Sequence, residues 1–231
     1  MTPSGANRVL LHEGGILNAR VYRVADGGAS WIEKDFSANP WIVRNTLGRF
    51  LIRRECRILR RLEPTGVVPA GAERLSAFSL REDCCQGFSL RDTACGVYAG
   101  NVFDPSKAVG VPTEMLREPV PRAFFESLES AVKSAHRRGY VHLDLHNARN
   151  VMVGPGWKPV LLDWQSALPT AWLPGFLRRA LERVDRAGVY KLWDRFRPGE
   201  LSEKQMKFLR RSRFLRRHFW IPRLKWGKPN D

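Results

Sequence analysis

Between Gly139 and Gln165 the chain reads GYVHLDLHNARNVMVGPGWKPVLLDWQ, and residue types able to do chemistry crowd together there. Asp144, Asn147, Asn150 and Asp163 offer two carboxylates and two carboxamides, with His142 and His146 on either side of Asp144. Hard oxygen donors of this kind suit a divalent cation that holds phosphates, and they leave one acid to take a proton from a hydroxyl. A single Asp or Asn in a loop is more often a turn former, a reading that weakens for four in one short unit. A second pair lies far upstream. Lys34 stands in WIEKDF, where strand alternation puts it on the face of Ile32 and Phe36, and a lysine on the apolar side of a strand needs an acid. Glu55 is a candidate partner, at the centre of a helical apolar stripe and four residues from both Leu51 and Leu59. An ionised glutamate on a buried face is costly unless paired, so a Lys34–Glu55 ion pair is expected; the alternative sets Glu55 at the stripe edge beside an arginine.

The elements that must position these groups follow from periodicity. Val151 to Val153 and Val160 to Leu162 read as two short strands joined by a Gly- and Pro-rich turn, so that the loop before the first lies beside the end of the second. Upstream, Val9 to Leu11, Arg20 to Val24 and Ser30 to Phe36 read as strands, with a hairpin turn at Ala25 to Gly28 and the pair Gly14, Gly15 between the first two. A helix is predicted from Asn45, as N-cap, to Leu62, followed by a strand within Leu75 to Glu82 and a connector from Cys84 to Leu90. Pro121 opens a helix over Arg122 to Arg138, stopped by Gly139, and a further helical stretch covers Phe176 to Ala187.

With the motifs in order, the sequence resembles the protein-kinase-like superfamily. HLDLHNARNVMV resembles the catalytic loop, LLDWQ the metal-binding DFG segment, and WIEKDF with Glu55 the strand lysine and helix glutamate, over roughly residues 9–168. Within that superfamily it is most similar to the bacterial lipopolysaccharide core kinases of the Kdo and heptose type, with the RIO kinases as relatives. The resemblance implies an α+β, two-lobed fold: a small β-rich N-lobe with one helix over 1–82, a hinge and mainly helical C-lobe over 83–200, and a basic amphipathic helix and tail over 201–231. It implies ATP and Mg²⁺, with Asp144 orienting and deprotonating the acceptor hydroxyl and Asn150 and Asp163 holding the metal. Asn147 is the alternative ligand, because the loop is one residue longer than the usual D-x-x-x-x-N. By the same resemblance Lys34, held by Glu55, neutralises the α and β phosphates. His146 occupies the place of the protein-kinase loop lysine and donates to the transferring phosphoryl group, while residues 82–87 hold adenine through backbone groups.

The chain also departs from the family pattern. Leu143 replaces the HRD arginine, Trp164-Gln165 replaces Phe-Gly, no APE triplet follows, and Gly14 and Gly15 stand for a glycine-rich loop that lacks its last glycine. No activation-loop phosphorylation is implied. The expected acceptor is a lipopolysaccharide inner-core sugar, a lipopolysaccharide precursor or another phosphate-rich acceptor at the cytoplasmic face of the membrane. A RIO-like protein serine/threonine kinase and a catalytically weak kinase-fold scaffold that binds RNA or membrane are the alternatives.

Composition bounds these readings. With 231 residues, 43% hydrophobic and 27% charged, the chain suits one folded domain or two joined lobes, and no apolar run approaches a membrane span. A cytoplasmic protein, peripheral on the inner membrane at most, is expected. The four cysteines, Cys56, Cys84, Cys85 and Cys95, lack metal-site spacing and read as reduced thiols. A net charge of +16 points to a polyanion, whether phosphorylated substrate, anionic membrane surface or nucleic acid. Nucleic acid ranks last, because no binding-module signature accompanies the charge. Ten bases and no acid lie between Lys204 and Lys228, where Ser202 and Gln205 form a capping box. That helix packs its apolar side inward, docks on anionic lipid with Trp220 and Trp226, or does both, with nucleic-acid binding as the third reading. Trp172 to Phe176 is a second candidate contact, with buried packing the preferred reading.

Overall fold

A computed structural model describes residues 7–93 and 108–218. Cys95, Phe219, Trp220 and Trp226 lie outside the described residues. The chain is α+β. Its first part is a five-stranded antiparallel sheet in the order β1 (Asn7–His12), β2 (Arg20–Asp26), β3 (Ala29–Asp35), β5 (Ser79–Asp83), β4 (Glu73–Arg74). Lys34 lies opposite Val21 on one side and Leu80 on the other, so the central strand β3 sets the position of that lysine in the sheet. On the opposite face Arg8 bonds Glu33 at 3.1 Å and Asp35 at 3.3 Å, and its guanidinium lies 3.6 Å from the centre of the Tyr22 ring. Glu33 and Asp35, on the other side of the strand from Lys34, are thus covered by one arginine from the edge strand.

The helix after β3 begins earlier than its sequence suggests. α1 (Trp41–Val43), a π-helical turn (Arg44–Gly48) and α2 (Arg49–Leu62) keep helical dihedrals throughout, with Pro40 as the extended residue before the first turn. Proline supplies no N–H, and the first helical turn needs none. Asn45 is therefore not the N-cap: its side-chain amide donates to the Trp41 carbonyl, four residues back, at 2.9 Å. At Gly48 a Cβ would come within 3.0 Å of Phe36, so the missing side chain is what lets the helix settle on the end of the sheet.

Beyond residue 83 the connector contains β6 (Phe88–Ser89), which pairs with β8 (Val151–Gly154), and β8 pairs with β9 (Lys158–Leu161). α3 (Arg122–Arg137) ends before Gly139, and β7 (Tyr140–Val141) pairs with β10 (Leu168–Pro169). α4 (Gly175–Phe196) runs two turns past the predicted Ala187, and α5 (Glu203–His218) opens on the expected capping box, with Gln205 N–H donating to Ser202 Oγ.

Two hydrophobic clusters hold these pieces. The smaller joins Phe36 and Leu80 of the sheet to Leu51, Ile52 and Cys56 of α2. The larger brings together Ile58, Leu59 and Leu62 from the end of α2, Phe124, Phe125 and Leu128 of α3, the inner residues of β8 and β9, Trp164, and Leu192 and Trp193 of α4. Helix α2 feeds both, and each fully buried side chain of this size contributes roughly 1.5 to 3 kcal/mol. Leu209 of α5 is buried in the same cluster, and Tyr190 meets Phe208 edge to face at 5.6 Å, so the described part of the basic helix packs its apolar side inward. Cys56, Cys84 and Cys85 are unbridged. No described helix is long and apolar enough to cross a membrane.

Candidate active site

The β8–β9 pairing brings the two ends of the chemistry-bearing segment together. Leu162 N–H donates to the Asn150 carbonyl at 2.8 Å, and His142 Nε2 lies 2.8 Å from the Leu162 carbonyl. Asp144 N–H donates to His142 Nδ1, which makes Nδ1 the acceptor and Nε2 the nitrogen that carries hydrogen. His142 is consequently a buried scaffold linking the loop to the residue before Asp163.

Asp144 has a partner on each oxygen. The Asn150 side-chain amide donates to Oδ2 at 2.8 Å and to the Asp144 carbonyl at 3.0 Å, while His146 Nδ1 lies 3.2 Å from Oδ1. Asn150 spends its N–H groups on Asp144, which leaves its carbonyl oxygen as the atom able to ligate. Asn147 is used differently, its oxygen accepting from Arg149 N–H and capping the short turn Ala148–Asn150. Asp163 is exposed in a left-handed conformation, φ 58°, and accepts from Gln165 N–H with one oxygen. Among the described residues no three His, Cys, Asp or Glu side chains converge as a metal cage. One amide oxygen and one carboxylate are nevertheless the kind of partial set that Mg²⁺ accepts when phosphates and waters supply the rest.

What fixes the loop is a residue the sequence reading passed over. Asp185 of α4 is 1% exposed; its Oδ2 accepts from His142 N–H at 2.8 Å and faces His136 Nε2 at 2.9 Å, and its Oδ1 accepts from Leu143 N–H at 2.7 Å. Leu143 sits at φ 68°, a conformation that costs an L-residue about 1 to 2 kcal/mol, and the paired N–H bonds to Asp185 hold it there. Gly188, one turn on, makes room: a Cβ would lie 2.9 Å from the Leu145 carbonyl carbon and 3.0 Å from His146 N. The signal for Asp185 was available, since it falls on the α4 stripe of Gly188, Val189 and Leu192.

The upstream pair forms as expected and acquires a third member. Lys34 Nζ lies 2.5 Å from Glu55 Oε1 and 3.4 Å from Glu82 Oε1, and all three side chains are buried. Glu82 shares its strand face with Leu80, a period-two signal overlooked because the segment was read as a backbone hinge. The Glu55 carboxyl is raised to about 7, chiefly by burial, with Lys34 opposing the rise and Glu82 and Asp163 adding to it. Burial would lower the Lys34 ammonium, but Glu55, Glu82 and Asp163 outweigh it and the net direction is upward. One ammonium therefore faces more than one carboxylate, and the influence of Asp163 on both groups ties this cluster to the end of β9.

Gly14 and Gly15 lie in the β1–β2 loop, with Gly14 at φ 68°. That loop is gripped by Asn39, whose side-chain amide donates to the carbonyls of Gly15, Ile16 and Asn18 at 3.1, 2.9 and 3.2 Å. Nothing in the local pattern singles Asn39 out, since its partners are backbone atoms more than twenty residues away. No protein-family model matches the chain, and a search of curated proteins returns no match.

Proposed function

We propose that the chain is an ATP- and Mg²⁺-dependent phosphotransferase of two-lobed, protein-kinase-like design. The observation that carries this reading is the Asp144–Asn150 pair, joined through Leu162 to Asp163, which in turn acts electrostatically on the buried Lys34–Glu55 pair. An acid held by a carboxamide, a second acid at the end of a strand and a buried ammonium are what transfer of a phosphoryl group to a hydroxyl requires.

In this reading Asp144 orients the acceptor hydroxyl and takes its proton as the hydroxyl oxygen bonds to the γ-phosphorus and the bond from that phosphorus to the β–γ bridging oxygen breaks, releasing ADP. Asn150 and Asp163 would hold Mg²⁺, which when bound offsets the charge on the phosphate oxygens. Lys34 neutralises phosphate charge, Glu55 steadies it, and Gly14 and Gly15 lie in the loop nearest in kind to a phosphate-binding turn. His146, beside Asp144, is suited to donate to the transferring group.

A lipopolysaccharide inner-core sugar at the cytoplasmic membrane face is the acceptor we favour. Mass spectrometry of lipopolysaccharide from a strain lacking this chain tests it: the inner core should lose a phosphate that wild-type chain restores and Asp144→Asn does not. Unchanged core phosphorylation would remove the sugar acceptor and leave protein hydroxyls as the substrate to examine.

A further inference from the structure

Helix α4 divides into two unlike halves. From Asp185 onward one face of it is buried and holds the 142–143 backbone, whereas from Gly175 to Val184 none of its residues is buried. The free half is far from polar: Phe176 is 70% exposed, and Trp172, just before the helix, is 74% exposed, with Leu177 and Val184 also in solvent. The expectation that Trp172 to Phe176 packs inside is thus reversed. Arg178, Arg179 and Arg183 stand among these side chains, and Glu182, half-buried and 3.8 Å from Arg178, is the only acid of the segment.

A second arginine-rich surface with an exposed ring lies on α2. Arg54 donates to the Ala167 carbonyl, at the entry to β10, and its guanidinium lies 5.7 Å from the centre of the Phe50 ring, itself 58% exposed. Helix residues 41–62 carry seven arginines and a single acid, Glu55, which is buried, so the exposed side of that helix has no negative charge.

We infer that Trp172 and the N-terminal half of α4 dock on an anionic bilayer. Exposed aromatic rings interleaved with arginine, in the absence of exposed acid, match a headgroup boundary: rings enter the acyl edge and guanidinium groups meet lipid phosphates. The chain's own C-terminal segment is a poor occupant, because it is itself basic and would set arginine against arginine. Since Asp185 on the same helix fixes the Asp144 loop, roughly 14 Å of helix axis beyond Phe176, one rigid element sets the height of the loop above the lipid. Docking deepens the phosphotransferase reading and rests on it only for what is delivered to Asp144.

Co-sedimentation of the full chain with vesicles of phosphatidylcholine alone, or of two parts phosphatidylcholine to one part phosphatidylglycerol, tests the surface. Binding should need phosphatidylglycerol, weaken with added salt, and fall about tenfold or more in Trp172→Ser/Phe176→Ser and in Arg178→Glu/Arg179→Glu, with circular dichroism and unfolding midpoint unchanged. Bromolipid quenching of tryptophan fluorescence should drop in Trp172→Phe. A control on α5, Lys204→Glu/Lys207→Glu, should bind as wild type. Absence of vesicle binding, equal binding to both vesicles, undiminished binding by the two α4 double variants, or a loss confined to the α5 control would each overturn the proposal. A chain that binds vesicles through this face but turns over no ATP would keep the docking surface and lose the phosphotransferase.

Discussion

The loop around Asp144 and the cluster around Lys34 are both built from charged groups, yet they are finished to different degrees. Asp144 and Asp185 have partners on both oxygens, supplied by Asn150, His146 and backbone N–H groups. Around Lys34, two buried carboxylates share one ammonium, and Glu55 Oε2 and Glu82 Oε2 have no hydrogen-bond partner among the described residues. The loop is thus completed by the chain itself and preorganised, whereas the lysine cluster carries surplus negative charge that only a proton or a cation can balance. Rigid positioning and electrostatic responsiveness are assigned to different places in the molecule.

Deleting the scaffold should do the most damage. Asp185→Ala leaves the 142 and 143 N–H groups buried without an acceptor and removes what holds Leu143 at positive φ, so chemical denaturation should report a loss of about 3 to 5 kcal/mol. A loss under 1 kcal/mol would mean that the loop does not depend on α4. In the other region Lys34→Met strands two buried carboxylates and should cost about 3 kcal/mol, part of which Lys34→Met/Glu82→Gln recovers. Were the double variant no more stable than the single one, Glu82 would not be the surplus charge. Gly188→Ala drives a methyl group against the Leu145 and His146 backbone and should cost about 1 to 3 kcal/mol, with heteronuclear NMR shifts concentrated in residues 142–147.

A pH series sharpens the contrast with a smaller effect. Because the folded Glu55 carboxyl is pushed from 4.5 up to about 7, the folded chain keeps a proton that the unfolded chain has released between those values. Stability relative to Glu55→Gln should therefore fall as pH rises from about 4.5 to about 7, no more steeply than about 1.4 kcal/mol per pH unit, and level off above. A difference that stays flat across that window would show that Lys34 alone balances Glu55.

What could be read from residue order divides along physical lines. Strand alternation and the rule that a buried charge needs a counter-charge led to β3, the helix over residues 49–62 and the Lys34–Glu55 contact, because each is set by near neighbours or by a cost that one residue reveals. The β8–β9 hairpin was legible for the same reason, and with it the approach of the Asn150 and Leu162 backbones. Asp185 and Glu82 were missed although their periodicity was present, since an acid on an apolar stripe does not say which distant group it serves. The early helix start at Trp41 escaped because Asn45 resembles a cap and in fact bonds one turn back. Trp172 and Phe176 were read as buried because hydrophobicity alone does not distinguish a core face from an uncovered one.

Nucleotide binding read as a thermal shift tests the phosphotransferase most directly. The unfolding midpoint of the wild-type chain should rise with ATP and Mg²⁺ together, beyond the effect of either alone, and in the exposed-site variant Asp163→Asn the Mg²⁺-dependent part of that rise should vanish while the ligand-free variant still unfolds cooperatively. A wild-type midpoint indifferent to Mg²⁺ and ATP, or a rise that Asp163→Asn leaves intact, would contradict it.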